Sequence, residues 1–141
     1  NLELKTWYGS AVKEAIINSN IVARDYENEI QSEIISDTQL ILREIFKSSK
    51  NNEVQIDSIQ KALNEFINLR TISNIYIFNK NNDVFLSFKD EKKLNFKSPS
   101  TKIFEILDKN QVYIFQQNKN SISAYKKVSF LNNIYLQVNR D

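Results

Sequence analysis

The sequence predicts an α+β domain: a long N-terminal helix, a second helix, and a five-stranded antiparallel sheet with a short helix between its second and third strands. Three observations carry that expectation. Residues 2–49 hold a helical apolar stripe with no proline and a single glycine, Gly9. From residue 73 onward the apolar period shortens to two, as strands require. The connections between strands are short and rich in asparagine, which tolerates the left-handed backbone of tight turns.

The first helix is read over 2–49 from Leu4, Tyr8, Val12, Ala15, Val22, Tyr26, Ile30, Ile34, Ile41 and Ile45, spaced by three, four or their sum. At ~1.5 Å per residue it would be a rod of roughly 70 Å. A compact chain of this length has a radius of gyration of about 14 Å, so part of such a rod must project, pair with a copy of itself, or join something else. The stripe is narrow at first and widens after Ile34 through Ile35, Leu40, Leu42 and Phe46. A narrow seam suits self-pairing and a wide one suits a sheet. Tyr8, Val12, Ala15, Val22, Tyr26 and Ile30 are therefore the expected dimer and signalling face, and the later half is expected on the domain. The alternative is a break at Asn18-Ser19-Asn20, giving two ordinary helices.

A polar loop at 48–53 leads to the second helix, 57–70, with Asp57 as N-cap and Gln60 completing a capping box. Ile59, Leu63, Phe66 and Ile67 form its buried face. Strands are expected at 73–79, 84–89, 111–117, 121–130 and 133–140. A short helix is expected at 99–109, with Pro99 at its first position and Ile103, Phe104 and Leu107 facing inward. The charged segment 89–97 is expected to be the most mobile loop. The 141 residues suit a single domain with a modest core.

Composition excludes several functions. Lysine and arginine number 19 against 17 acidic residues, interspersed, so no basic face points to nucleic acid. Cysteine and histidine are both absent, which removes disulfides, thiol chemistry, histidine triads and the commonest metal ligands. No glycine-rich phosphate loop is present. Glu29 and Glu33 read as a solvated helix face, and Asp83, Asp90 and Glu91 as acidic hairpin tips. Catalytic residues, a metal and a cofactor are thus not expected in this segment. Methionine is absent, so Asn1 is expected not to be a translation start and the chain to be a piece of a longer protein. Trp7 and Tyr8 fit a membrane interface or ordinary helix packing equally well.

The strands alternate in kind as well as polarity. One set is aliphatic: Ile75, Ile77, Val84, Leu86, Val112, Ile114, Ile122, Ala124, Ile134, Leu136 and Val138. The other is aromatic and polar: Tyr76, Phe78, Phe85, Ser87, Tyr113, Phe115, Tyr125, Lys127, Tyr135 and Gln137. Alternate side chains occupy opposite sheet faces, so the first set suits packing beneath the long helix. The second is the candidate ligand pocket, apolar with a few placed polar groups. It serves equally as a second packed face. A two-residue turn at Asn132-Asn133 would move Tyr125 and Lys127 to the aliphatic face; a three-residue loop or a bulge keeps the sets intact.

Several stretches resemble the extracytoplasmic segment of NtrY-like sensor histidine kinases. They are Leu4-Lys5-Thr6-Trp7-Tyr8, Val12-Lys13-Glu14-Ala15, the run from Asn18 to Tyr26, Ser73-Asn74-Ile75-Tyr76-Ile77-Phe78-Asn79 and Ile134-Tyr135-Leu136-Gln137-Val138-Asn139-Arg140-Asp141. Where that family usually has glycines in its first hairpin, this chain has Asn81 and Asn82. The resemblance implies a PAS-like fold of the PDC or Cache type, periplasmic and homodimeric, between spans of the bacterial inner membrane. It implies a cytoplasmic kinase part using ATP and Mg, an NtrX-like response regulator as partner, and a link to nitrogen or redox regulation. An unidentified small-molecule ligand is the expected signal. The rival expectations are a dimerisation or assembly domain with no ligand of its own, and a chemoreceptor sensor domain.

Overall fold

The structure, a computed structural model, describes residues 21–24, 28–50, 53–118 and 120–141. Its architecture is α+β, with three helices among the described residues and a five-stranded antiparallel sheet joined at one edge by a parallel strand.

The single rod expected over 2–49 is not what forms. Ile21–Arg24 is strand β1, and helix α1 begins only at Asn28, running Asn28–Lys47. The run Ile21-Val22-Ala23 carries two β-branched residues, whose side chains lose rotamer freedom in a helix. It pairs in parallel with β6, Val112–Asn118, in the register Ile21↔Val112 to Arg24↔Phe115. Helix α1 has 20 residues, a length of about 30 Å, well short of the ~70 Å rod expected from the stripe. Of the expected signalling face, Tyr8, Val12, Ala15 and Tyr26 lie outside the described residues. Val22 is in β1 and Ile30 in α1, so these two do not share one helical face.

Helix α1 buries Ile34, Asp37, Thr38, Ile41, Leu42 and Ile45, one stripe at helical spacing. The Thr38 hydroxyl donates to the Ile34 carbonyl at 2.7 Å. At the C-terminal end Ser49 Oγ donates to the Ile45 carbonyl at 2.6 Å, satisfying an acceptor the helix leaves open. Ser49–Lys50 (β2) and Glu53–Val54 (β3) form a minimal antiparallel hairpin. Helix α2, Ile56–Leu69, follows. Its N-cap is Gln55, without a side-chain hydrogen bond, so the expected Asp57 capping box does not form; Asp57 sits in the first turn instead, where its charge still suits the helix dipole.

The sheet order is β1-β6-β7-β8-β4-β5, with β4 Asn74–Phe78, β5 Val84–Phe88, β7 Ser121–Lys127 and β8 Tyr135–Arg140. The last strand therefore lies between β7 and β4. Helix α3 is Thr101–Asp108. Pro99 precedes it rather than opening it; Ser100 is the N-cap and accepts from the Ile103 amide at 3.4 Å. Asparagine takes the left-handed positions Asn82, Asn110 and Asn133, at φ 65°, 62° and 57°, as the turn chemistry predicts. Asn79 builds the first hairpin by accepting from the Asn81 and Asp83 amides at 2.9 and 3.0 Å.

Two cores flank the sheet. Ile75, Ile77, Leu86, Val112, Ile114, Ile122, Ala124, Leu136 and Val138 pack with α1 and α2. Tyr76, Phe78, Tyr125 and Tyr135 pack with Phe104 and Leu107 of α3. Strand β7 ends at Lys127, three residues before the expected end, and the longer connection keeps parity: Tyr125 lies opposite Gln137 and Lys127 opposite Tyr135. One pair of assignments is reversed. The register shifts between Ile77↔Leu86 and Phe78↔Val84, a bulge that leaves Phe85 unpaired and 46% exposed and turns Val84 to the aromatic core.

This gives a direct contrast. Phe78→Ala should cost about 3–5 kcal/mol in chemical denaturation, whereas Phe85→Ala should stay within about 1 kcal/mol. Equal losses would contradict the bulged register.

Candidate functional site

The aromatic face is built where the sheet, α3 and the 89–97 segment converge. Strands β4 and β8 present Tyr76, Phe78 and Tyr135; α3 lays Phe104 and Leu107 over them; and the 89–97 segment inserts Phe96. The Phe96 ring lies 5.3 Å from Tyr76 and 5.0 Å from Phe78, and Phe104 lies 5.0 Å edge-on to Tyr135. Such edge-on pairs add stability beyond simple burial. Side chains thus fill the centre of the expected pocket. Tyr113 is half-buried at the far end, its ring 6.2 Å from Tyr125.

The buried tyrosine hydroxyls on this face already have partners. Tyr135 donates to Asp108 at 2.5 Å, and Asp108 also pairs with Lys80 at 2.6 Å and Lys127 at 3.6 Å. Burial works to raise the Asp108 carboxyl, but the hydrogen bonds from Lys80 and Tyr135 and the two lysine charges outweigh it, holding it below the ordinary carboxylate range. Tyr76 donates to Asp90. That hydrogen bond, with the Asn95 and Leu94 amides, lowers the Asp90 carboxyl. Burial first, then their carboxylate partners, raise both tyrosine hydroxyls. Tyr125 donates to the Lys97 carbonyl at 3.3 Å, and burial, with Tyr113, pushes it up to about 12.

Beyond Tyr76 the face becomes polar. Asn74, Gln137 and Asn139 are buried. Asn139 donates to Asn74 and accepts from Ser123 at 2.6 Å and from Gln137 at 3.0 Å. The Gln137 Oε1 is buried with no protein hydrogen-bond partner. Of the ten residues expected to line a pocket, Tyr76, Phe78, Tyr125 and Tyr135 are in the aromatic core and Tyr113 packs against it. Gln137 joins the polar row, Lys127 pairs with Asp108, Ser87 lies opposite Tyr76 and Phe115 opposite Ser123, and Phe85 points away as the bulge residue.

A second constellation lies on the other side of the sheet, where α1, the end of α2 and the end of β8 meet. A groove of about 440 Å³ is lined by Ser32, Glu33, Ser36, Asp37, Arg70, Thr71 and Arg140. Asp37 accepts from Arg70 Nε at 2.6 Å and lies 4.0 Å from Arg140. Arg140 in turn pairs with Glu33 and donates to Thr71. The Arg70 guanidinium sits 5.4 Å over the Phe66 ring, a cation–π contact. Asp37 is nearly sealed from solvent, so its partners compensate a charge that would be costly to leave alone.

Lys126 is the third feature. It is only 1% exposed, on the aliphatic face, and donates to the Asn110 carbonyl at 3.2 Å and to the Asn110 side chain. A small cavity beside it is lined by Ile35, Thr38, Gln39, Leu42 and Val112. Burial, assisted by the Lys127 charge, lowers its ammonium to about 8.

Sequence reasoning weighed Lys127 and passed over Lys126, although parity with Ile122 and Ala124 places Lys126 among aliphatic residues. It also passed over Asp37 and Thr38, polar residues inside a buried helical stripe, and read Glu33 as solvated. Nothing in the local pattern foretold Arg70, Asp108 or Arg140 as partners, since each meets residues far away in the chain. Among the described residues, no helix is long and apolar enough to cross a membrane, and no group of three or more His, Cys, Asp or Glu is placed to hold a metal ion. No protein-family model, curated protein or solved structure matches the chain.

Lys126 makes stability depend on pH. Its folded value of about 8 lies below the ordinary 10.5, so between those values the unfolded chain holds a proton that the folded chain has lost, and stability rises with pH. Above pH 10 the tyrosines act oppositely, because their folded values are raised and the unfolded chain ionises first. Denaturation should show a gain of about 2 kcal/mol from pH 7 to about 10. Lys126→Met should abolish that rise and be more stable at pH 7; an unchanged slope would contradict the assignment.

Proposed function

We propose that this domain is the extracytoplasmic sensory part of a membrane-bound, homodimeric two-component histidine kinase, of the NtrY-like kind its sequence resembles. The observation that carries the reading is the junction of α1 with β8. Arg140 stands at the end of the central strand and holds Glu33 on α1, while Asp37 on α1 holds Arg70 at the end of α2. A displacement of β8 along its own axis is therefore passed to α1 rather than absorbed by a loop. The five-stranded antiparallel sheet with flanking helices is consistent with a PAS-like fold, and the PDC or Cache type is our finer assignment.

In this reading the signal acts on the aromatic face. It loosens the Tyr76–Asp90 and Tyr135–Asp108 contacts, shifts β4 and β8, and the Arg140 junction carries the shift into α1. A ligand drives such a change only if its affinity differs between the two states. The kinase chemistry, with ATP and Mg, and the NtrX-like response regulator belong to the rest of the protein. The segment itself is periplasmic, between inner-membrane spans.

One observation favours a second reading, an assembly domain with no ligand of its own. The aromatic face is filled, and the Tyr76 and Tyr135 hydroxyls are already bonded to carboxylates.

Thermal-shift screening of the purified chain against amino acids, organic acids and nitrogen oxyanions, beside sedimentation over a concentration series, separates the two. The sensory reading expects a ligand at about 100 times its Kd to add ~2.7 kcal/mol and raise Tm by several degrees. Tyr113→Ala should weaken that response while leaving the fold intact. A concentration-dependent dimer with no response to any compound would overturn it in favour of assembly.

A further inference from the structure

The 89–97 segment is expected from its charges to be mobile, but it is tightly organised. Asp90 accepts from the Leu94 and Asn95 amides at 3.0 and 2.8 Å and from the Tyr76 hydroxyl. The Lys93 amide donates to the Asp90 carbonyl at 3.0 Å, and Lys93 itself takes a left-handed φ of 57°. Phe96 is anchored between Tyr76 and Phe78. Two residues earlier, Leu94 is turned out, 79% exposed, more than any other large hydrophobic side chain among the described residues. The Lys93 ammonium reaches the Val84 carbonyl at 3.4 Å, which ties the segment to β5 beside the exposed ring of Phe85.

The charge around this tip is one-sided. Four lysines, Lys89, Lys92, Lys93 and Lys97, stand against Asp90 and Glu91. Asp90, held by Tyr76 and the turn amides, stays ionised, so the segment carries an excess of two positive charges, four lysines less two acids. Lys89 and Lys93 donate to the main-chain carbonyls of Ile72 and Val84, which leaves their positive charge without a carboxylate at those contacts.

We propose that this segment docks on an anionic lipid surface, with Leu94 entering the acyl boundary and the lysines meeting headgroup phosphates. The occupant follows from combining the two chemistries. Lysines alone would suit any polyanion, but an exposed apolar side chain held among them in the segment gains nothing from a nucleic-acid backbone. A lipid interface accepts both at once. The clamp at Asp90 presents Leu94 with little ordering left to do on binding. The inference rests on this geometry and holds whether or not the domain senses a ligand.

The test is cosedimentation of the purified chain with vesicles of phosphatidylglycerol mixed into phosphatidylcholine, and with phosphatidylcholine alone. Binding should require phosphatidylglycerol, weaken as salt screens the lysines, and resist competition by free inorganic phosphate. Leu94→Ser and Lys92→Glu should each lower affinity about tenfold or more, with unchanged melting temperature. Because the chain has no cysteine, Leu94→Cys carrying an environment-sensitive dye gives an independent readout and should shift to the blue on the anionic vesicles. Absence of binding, equal binding to both vesicle types, loss of binding to free phosphate, or binding indifferent to the Leu94 and lysine variants would overturn the proposal.

Discussion

The pairing of β8 between β4 and β7 is the interaction on which the rest depends. In five consecutive register positions Asn74–Phe78 faces Asn139–Tyr135, and Ile122–Lys127 faces Arg140–Tyr135 on the other side. The strand arrives last in the chain and occupies the interior of the sheet, so neither core closes before it docks. Its partners on β4 lie far back in sequence, and closing that loop must be offset by burial on both faces. Leu136 and Val138 complete the aliphatic core, Tyr135 the aromatic one, and Gln137 and Asn139 the polar row between β4 and β7.

That pairing sets the chemistry of each face. On the aromatic side, tyrosine hydroxyls that burial would leave costly are met by Asp90 and Asp108, and Asp108 is held charged by Lys80 and Lys127. On the helical side two charged groups are enclosed by different means. Asp37 is compensated by an arginine, whereas Lys126 donates to the neutral oxygens of Asn110. A paired buried charge is retained; an unpaired one moves toward its neutral form.

Much of this was legible in the sequence. Helical period located α2 and α3, alternation located all five antiparallel strands, and asparagines marked turns where glycine is scarce. The two-faced sheet followed from alternation alone. What failed did so for lack of three-dimensional information. Ile21–Arg24 continues the helical stripe through Val22, and only the open edge of β6 makes it a strand. The bulge that expels Phe85 and draws in Val84 is set by pairing with β4, which no local pattern encodes. The candidate site was half legible: the residue types of the aromatic face were right, but Phe96, Phe104 and Leu107, which fill it, come from segments the strand pattern does not see. Asp37 and Lys126, by contrast, interrupt apolar stripes that the sequence displays.

The coupling of α1 to β8 runs through Arg140, Glu33, Asp37 and Arg70. Native-state amide hydrogen exchange tests it most directly, because it reads the opening of each element separately. In Arg140→Ala, protection should fall together in the first half of α1 and at the end of β8, while the β6–β7 pairing keeps its own. Loss confined to β8, with α1 exchanging as in the unaltered chain, would contradict the coupling.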